Sequence, residues 1–155
     1  HLISTAKIYH PYQYIHDQVG FNYRMPNLNA ALGCSQIQRI KKILKKKKKL
    51  FYIYNKIFKK NLYFKLLCEP KKSQSNYWLQ TILINKKYSN STQKIIKDLN
   101  NQKIYVRSGW ELMTNLNHFK KYPKMNVSIA KRTYKRIINI PSSSFLINQI
   151  KNKLA

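Results

Sequence analysis

Apolar residues recur through the middle of the chain in steps of three and four: Leu28, Ala31 and Leu32, Ile40, Ile43 and Leu44, Leu50 and Phe51, Tyr54, Ile57 and Phe58, Leu62. Steps of that size place apolar groups on one face of an α-helix. Pro26 stands where proline is tolerated, in a first helical turn. The pattern therefore predicts one long amphipathic helix, straight or bent, from about Pro26 to Leu62. It would be longer than most globular helices, which suits an element that bridges two structural units. Residues 1–25 show no sustained helical period and gather aromatic and histidine residues around Pro11 and Gly20. They read as loop with short extended pieces.

Beyond Pro70 the pattern changes. Tyr77 to Ile84 is rich in aromatic and β-branched residues and predicts a strand. Asn90-Ser91-Thr92 offers caps for a helix carrying Ile95, Ile96 and Leu99. Ile104-Tyr105-Val106 predicts a short strand ending near Gly109. Asn126 or Ser128 is placed to cap a helix through Ile129, Ala130, Thr133, Tyr134 and Ile137. Ile138-Asn139-Ile140 predicts a last strand stopped by Pro141, and a final helix runs from about Ile147 to the end. Alternating strands and helices predict a small α/β sandwich after the long helix.

Composition changes this picture little. With 155 residues and 43% hydrophobic content, the chain can bury a core of ordinary domain size. The opening His1-Leu2-Ile3-Ser4-Thr5-Ala6-Lys7 has no apolar signal-peptide core and reads like the middle of a longer protein. No apolar run approaches a membrane span.

The net charge of +27, from 31 Lys+Arg against 4 Asp+Glu, taken alone points to nucleic acid or an anionic surface. The excess is mostly lysine, however, and accompanies abundant Asn, Ile and Tyr, four residue types with A/T-rich codons. Base composition is therefore a competing explanation of the charge. Arginine, the better residue for phosphate and base recognition, is confined to Arg24, Arg39, Arg107, Arg132 and Arg136. The run Lys45 to Lys49 reads as a solvated helix face whose lysine stems cover apolar surface. Cys34 and Cys68 match no metal spacing and read as small core hydrophobes in a reducing, cytoplasmic protein.

A complete active site is not visible in the residues alone. The only glycines are Gly20, Gly33 and Gly109, so there is no glycine-rich phosphate loop. The four acids are scattered, and His1, His10, His16 and His118 do not sit at metal spacings. His16-Asp17 reads as a solvated or locally bonded pair. One stretch differs. Gly20-Phe21-Asn22-Tyr23-Arg24-Met25-Pro26-Asn27 packs an amide, a guanidinium and aromatics just before a helix start. Helix N-termini favour anions, and Asn22 and Arg24 could add contacts to phosphate or carboxylate. A capped turn that satisfies its own backbone accounts for the same residues, and both readings stand.

The stretch from Gly20 through Leu28-Asn29-Ala30-Ala31-Leu32-Gly33 to Gln36 resembles the signature of the DegT/StrS sugar aminotransferases. Further blocks are similar in the same order: Ser4 to Lys7, Tyr14 to Asp17, Ser75 to Leu79, Val106 to Met113 and Arg136 to Ser143. The members that aminate 4-keto nucleotide sugars look most alike. The resemblance implies the C-terminal part of a fold-type-I aminotransferase dependent on pyridoxal 5'-phosphate (PLP). Residues 1–25 would end the large PLP-binding domain, 26–65 would form the long connecting helix, and 66–155 the small C-terminal α/β domain.

What the resemblance implies for chemistry is specific. The lysine that binds the cofactor covalently would lie upstream, so this chain would be inactive alone, with no catalytic residue of its own. Asn22 matches an asparagine that reaches across a homodimer interface toward the PLP phosphate, and Arg24 matches an arginine near the same pocket. Arg107 and Trp110 match a block on the sugar-nucleotide side; core packing is the other reading of Trp110. Many relatives carry histidine where Thr114 stands, which sets aside any histidine-dependent contact there. The expected partners are a nucleotide-sugar substrate and an amino donor, by family habit glutamate, with no membrane. Two other readings remain: a basic nucleic-acid-binding module, and a gene remnant that no longer folds. Non-specific adhesion to polyanions is expected in every case.

Overall fold

The computed structural model describes residues 7–13, 15–21, 23 and 25–149. In chain order it contains β1 (Lys7–Ile8), β2 (Ile15–His16), α1 (Asn27–Ile37), α2 (Ile40–Phe58), β3 (Phe64–Leu66), β4 (Gln80–Ile84), α3 (Thr92–Asn101), β5 (Arg107–Ser108), α4 (Ser128–Tyr134) and β6 (Ile137–Ile140). Short 3-10 turns lie at Lys86–Ser91, Met113–Asn115 and Asn117–Phe119. Residues 146–149 are helical, at the start of the expected last helix; the rest of that helix lies outside the described residues.

The expected long helix is broken in two. Arg39 leaves helical geometry, with φ −106° and ψ 1°. The break falls where the apolar period lapses, across Cys34-Ser35-Gln36 and Gln38-Arg39. The halves differ in packing: α2 buries Leu50 and Phe51, whereas α1 buries nothing.

The larger sheet has the order β3-β4-β6-β5 with every neighbouring pair antiparallel. Its register aligns Leu66 with Ile82, Ile82 with Ile138, and Ile138 with Ser108. Alternation then sends Leu66, Ile82, Ile84, Ile138 and Ile140 to one face. There they join Phe51 of α2 and Ile96 of α3 in the core. The opposite face carries Thr81 and Asn139, whose side chains are hydrogen-bonded at 2.8 Å, and Asn139 donates onward to the Ser108 carbonyl at 3.0 Å. Residues of α4 flank this second face. Helices on both faces give the α/β sandwich that the pattern predicts.

Several local expectations need correction. β3 had not been anticipated, because Phe64-Lys65-Leu66 is too short to show alternation. The strand expected at Ile104–Val106 is displaced to Arg107–Ser108: α3 ends in a reversal with Lys103 at φ 63°, and Ile104 N–H donates to the Leu99 carbonyl. The helix expected to run through Ile137 stops at Tyr134, because Ile137 pairs with Leu83 in the sheet. Neither cysteine is a core residue. Cys34 is exposed on α1, which has no packing partner to bury it, and Cys68 is exposed beyond the end of β3.

The Lys45–Lys49 run is a solvated face only in part. Lys45, Lys48 and Lys49 are exposed, but Lys47 turns inward. Its ammonium donates to the carbonyls of Tyr77 (3.2 Å), Trp78 (3.0 Å) and Ser142 (2.8 Å). Burial lowers its pKa below that of a free lysine, and the three carbonyls compensate the charged form. Tyr77 needs this support. It is buried at φ 51°, a left-handed conformation that costs a bulky residue about 1–3 kcal/mol. Its ring lies 4.9 Å from that of Phe51.

Replacing Lys47 with Met should remove three charge-assisted contacts and cost about 2–3 kcal/mol in a denaturant melt. Lys45→Met, on the exposed side, should change stability by no more than about 0.5 kcal/mol.

Candidate functional site

Asn22 and Arg24 lie outside the described residues. What can be seen is the helix end beside them. The N-cap of α1 is Pro26, which supplies no side-chain acceptor, and no acid lies in the first turn. The first amides of α1 are thus without a side-chain cap in a helix of three turns, the chemistry that suits an anionic group. This end fits a helper of a phosphate-bearing cofactor, while no cradle for a whole cofactor is formed by it.

Arg107 and Trp110 sit three residues apart and open onto different cavities. Arg107, exposed on the edge strand β5, lines a polar cavity of about 290 Å³ with His10, Gln13, Asn100 and Tyr105. This cavity ties the N-terminal segment to the sheet. His10 Nδ1 accepts the N–H groups of Tyr12 (3.2 Å) and Gln13 (2.9 Å), and Ser108 Oγ donates to the Tyr12 carbonyl at 3.3 Å.

Trp110 lines a larger, apolar groove of about 500 Å³ between the sheet and α4, with Leu79, Leu112, Thr133 and Tyr134. It is 44% exposed, so it is not a core residue, and its ring lies 5.7 Å from that of Trp78. Gly109 passes close beneath: a Cβ there would stand 3.4 Å from Ile137 Cγ2. Trp78 was missed in the sequence, because it falls inside a segment that reads as strand. Its outward placement depends on the left-handed turn at Tyr77, which leaves no local signature.

Glu111 was also missed as a site residue. Its Oε1 accepts from Leu112 N–H (3.0 Å) and Asn115 Nδ2 (2.6 Å), and its Oε2 from the Tyr134 hydroxyl (3.0 Å). Its signal was rarity: it is one of four acids in the chain. Burial first, then the hydrogen bond and negative charge of Glu111, push the Tyr134 pKa up to about 12. Nearby Thr114 Oγ1 is buried without a hydrogen-bond partner among the described residues. No group of three metal-ligating side chains, and no helix long and apolar enough to cross a membrane, occurs among the described residues.

A long helix followed by a small four-stranded α/β sandwich matches the C-terminal architecture of PLP-dependent aminotransferases of fold type I. The chain belongs to the DegT/DnrJ/EryC1/StrS aminotransferase family, whose model matches residues 4–151. It is 29% identical over 131 residues to the GDP-perosamine synthase of Vibrio cholerae, covering 84% of this chain and 35% of that protein. It is 30% identical over 138 residues to the GDP-perosamine synthase of Escherichia coli O157:H7, covering 88% and 36%. Among solved structures it is similar to Helicobacter pylori PseC, an aminotransferase involved in pseudoaminic acid biosynthesis. The TM-score is 0.72 at 21% identity, over 97% of this chain and 42% of that one, a likeness of fold. The chain thus spans about a third of the length of the curated relatives it matches.

Tyr134 gives a pH test. Its folded pKa of about 12 lies above the ordinary 10.0, so between those values the folded state keeps a proton that the unfolded state has lost. Its contribution to stability is then full below pH 10 and is lost as pH rises toward 12. Tyrosinate absorbance should show a late-ionising component, to which the buried Tyr54 and Tyr77 also contribute; it should lose one tyrosine in Tyr134→Phe, and the Tyr134 part should shift back toward 10.0 in Glu111→Gln.

Proposed function

We propose that this chain is the C-terminal portion of a PLP-dependent aminotransferase that moves an amino group from glutamate to a 4-keto nucleotide sugar, for amino-sugar and surface-polysaccharide synthesis in the cytoplasm. The family match from residue 4 to residue 151 carries this reading. The names of the two GDP-perosamine synthases support a nucleotide-linked product. Residues 1–25 end the large domain, 26–65 connect, and 66–155 form the small domain. PLP, when bound, would carry the nitrogen from donor to sugar and supply the electron sink for the carbon whose C–H bond breaks.

The chain's own residues have holding roles. Asn22 reaches into the partner's half of a homodimer and donates to the cofactor phosphate. Arg24 meets an anionic oxygen of the cofactor or substrate beside the first turn of α1. Arg107 and Trp110 contact the sugar nucleotide, the guanidinium through charge and the indole through its face. The lysine that binds PLP covalently belongs to the portion of the family's length that these residues do not cover. The bare surface of α1 supports this division. Leu28 is 72% exposed and Ile37 70%, an apolar face that the remainder of a longer protein would cover.

Two measurements test the proposal. PLP added to this chain alone should keep the absorbance of the free cofactor. A shifted band abolished by exchanging one lysine of this chain would contradict it. In a protein of full family length, Asn22→Ala should weaken PLP retention about tenfold, the loss of one charge-assisted hydrogen bond. Arg107→Ala and Trp110→Ala should raise KM for the nucleotide sugar and leave PLP retention unchanged.

A further inference from the structure

We propose that the exposed face of α2 binds single-stranded nucleic acid. At 100° per residue, Lys41, Lys42, Lys45, Lys48, Lys49 and Lys56 fall in one sector of α2 about 120° wide and about 23 Å long. All six are exposed. Tyr52 stands in the middle of this sector and is 55% exposed. No acidic residue occurs in α2. The four acids of the chain lie elsewhere: Asp17 just after β2, Glu69 beyond β3, Asp98 in α3, and Glu111 bonded to Tyr134.

The row continues past the helix. Exposed Lys59 and Lys60 lead to a cavity of about 330 Å³ at the end of the sheet, lined by Lys65, Lys86 and Arg136 and by no acid. Arg136 is fixed there through Nε, which donates to the Ile84 carbonyl at 2.7 Å. The half-exposed ring of Tyr63 borders the same cavity. Base composition accounts for many lysines, but not for their concentration here. Of the chain's 31 Lys+Arg, ten are lysines within residues 41–60. Of those ten, Lys46 and Lys47 make the contacts to the fold, to Asn148 and to three carbonyls.

The chemistry favours an unpaired strand. Lysine ammoniums are compact charges that meet phosphate oxygens and carry little base specificity. Aromatic rings set among them provide stacking faces for unpaired bases. An anionic bilayer would need apolar groups to insert beside the charges. The lysine sector itself holds none: Leu50 and Phe51 turn into the fold, and the exposed Ile40, Leu44 and Ile57 of α2 lie outside the sector at 100° per residue.

Fluorescence anisotropy of the chain with labelled oligo(dT) and oligo(U) of about 15 nucleotides, over a salt series, tests this. Exchanging Lys45, Lys48, Lys49 and Lys56 together for Gln should cut the slope of log K against log salt by about 3, at about 0.7 per phosphate released. Tyr52→Ala should weaken binding about tenfold. Exchanging Lys94, Lys97, Lys120 and Lys131 for Gln removes the same charge from other exposed sites and should leave the slope unchanged. Circular dichroism melts confirm that each variant folds like the parent. Preference between the two oligonucleotides assigns DNA or RNA. Equal losses in both fourfold variants would reduce the effect to net charge and overturn the proposal. So would tighter binding to phosphatidylserine vesicles than to either oligonucleotide. The outcome is independent of the aminotransferase reading, since no residue of that site is altered.

Discussion

One ammonium group ties the fold together. Lys47 draws the carbonyls of Tyr77, Trp78 and Ser142 onto the buried side of α2, at the point where β4 begins and β6 has just ended. The same residues anchor the two central strands, because Ser142 Oγ accepts the Gln80 N–H at 2.7 Å. A lysine can do this only because the acceptors are carbonyls arranged around its three donors. The strained turn at Tyr77 follows, and that turn sends the Trp78 ring outward to meet Trp110. The aromatic wall proposed to face the sugar nucleotide is therefore set by a contact on the far side of the sheet.

The two helices divide the labour. α2 has a partner within the chain and is bound to it by Phe51, Tyr54 and Lys47; the Tyr54 hydroxyl donates to the Pro141 carbonyl at 2.9 Å. Among the described residues α1 buries no side chain and leaves Leu28 and Leu32 bare. A break at Arg39 lets the two halves serve different neighbours. In the proposed enzyme α1 opens the connecting stretch 26–65, and Asn22 and Arg24, just before it, serve a site completed by residues outside this chain. In the same proposal Arg107 and Trp110 meet the sugar nucleotide from the small domain.

Much of this was legible in the sequence. The amphipathic period marked α2, and β-branched runs marked β4 and β6, because each element buries one face and the residues show it. The motif from Gly20 to Gly33 identified the family. The break between α1 and α2 showed only as a lapse in the apolar period across residues 34–39, which the steps of three and four on either side masked. β3 was missed and β5 misplaced by three residues, because two or three residues carry no period and are strands only through pairing with distant partners. Cys34 and Cys68 misled, since burial tendency holds for an average fold and α1 has nothing to be buried against. Lys47 was hidden in the run Lys45–Lys49, where helical phase alone separates the inward-turned side chain from the exposed Lys45, Lys48 and Lys49. Trp78 meets Trp110, and Glu111 meets Tyr134, only in three dimensions.

The central claim is that this chain lends binding groups to a cofactor held by other residues, across a dimer. Subunit complementation in a protein of full family length tests it most directly. One variant lacks the PLP-binding lysine and the other carries Asn22→Ala with Arg24→Ala, each inactive as a homodimer. In a twofold dimer, random mixing makes half the dimers hybrids, each with one intact composite site, so activity should return to about a quarter of the parent. Mixtures that stay inactive after subunit exchange has been verified would place these residues and the lysine in one subunit's site and contradict the claim.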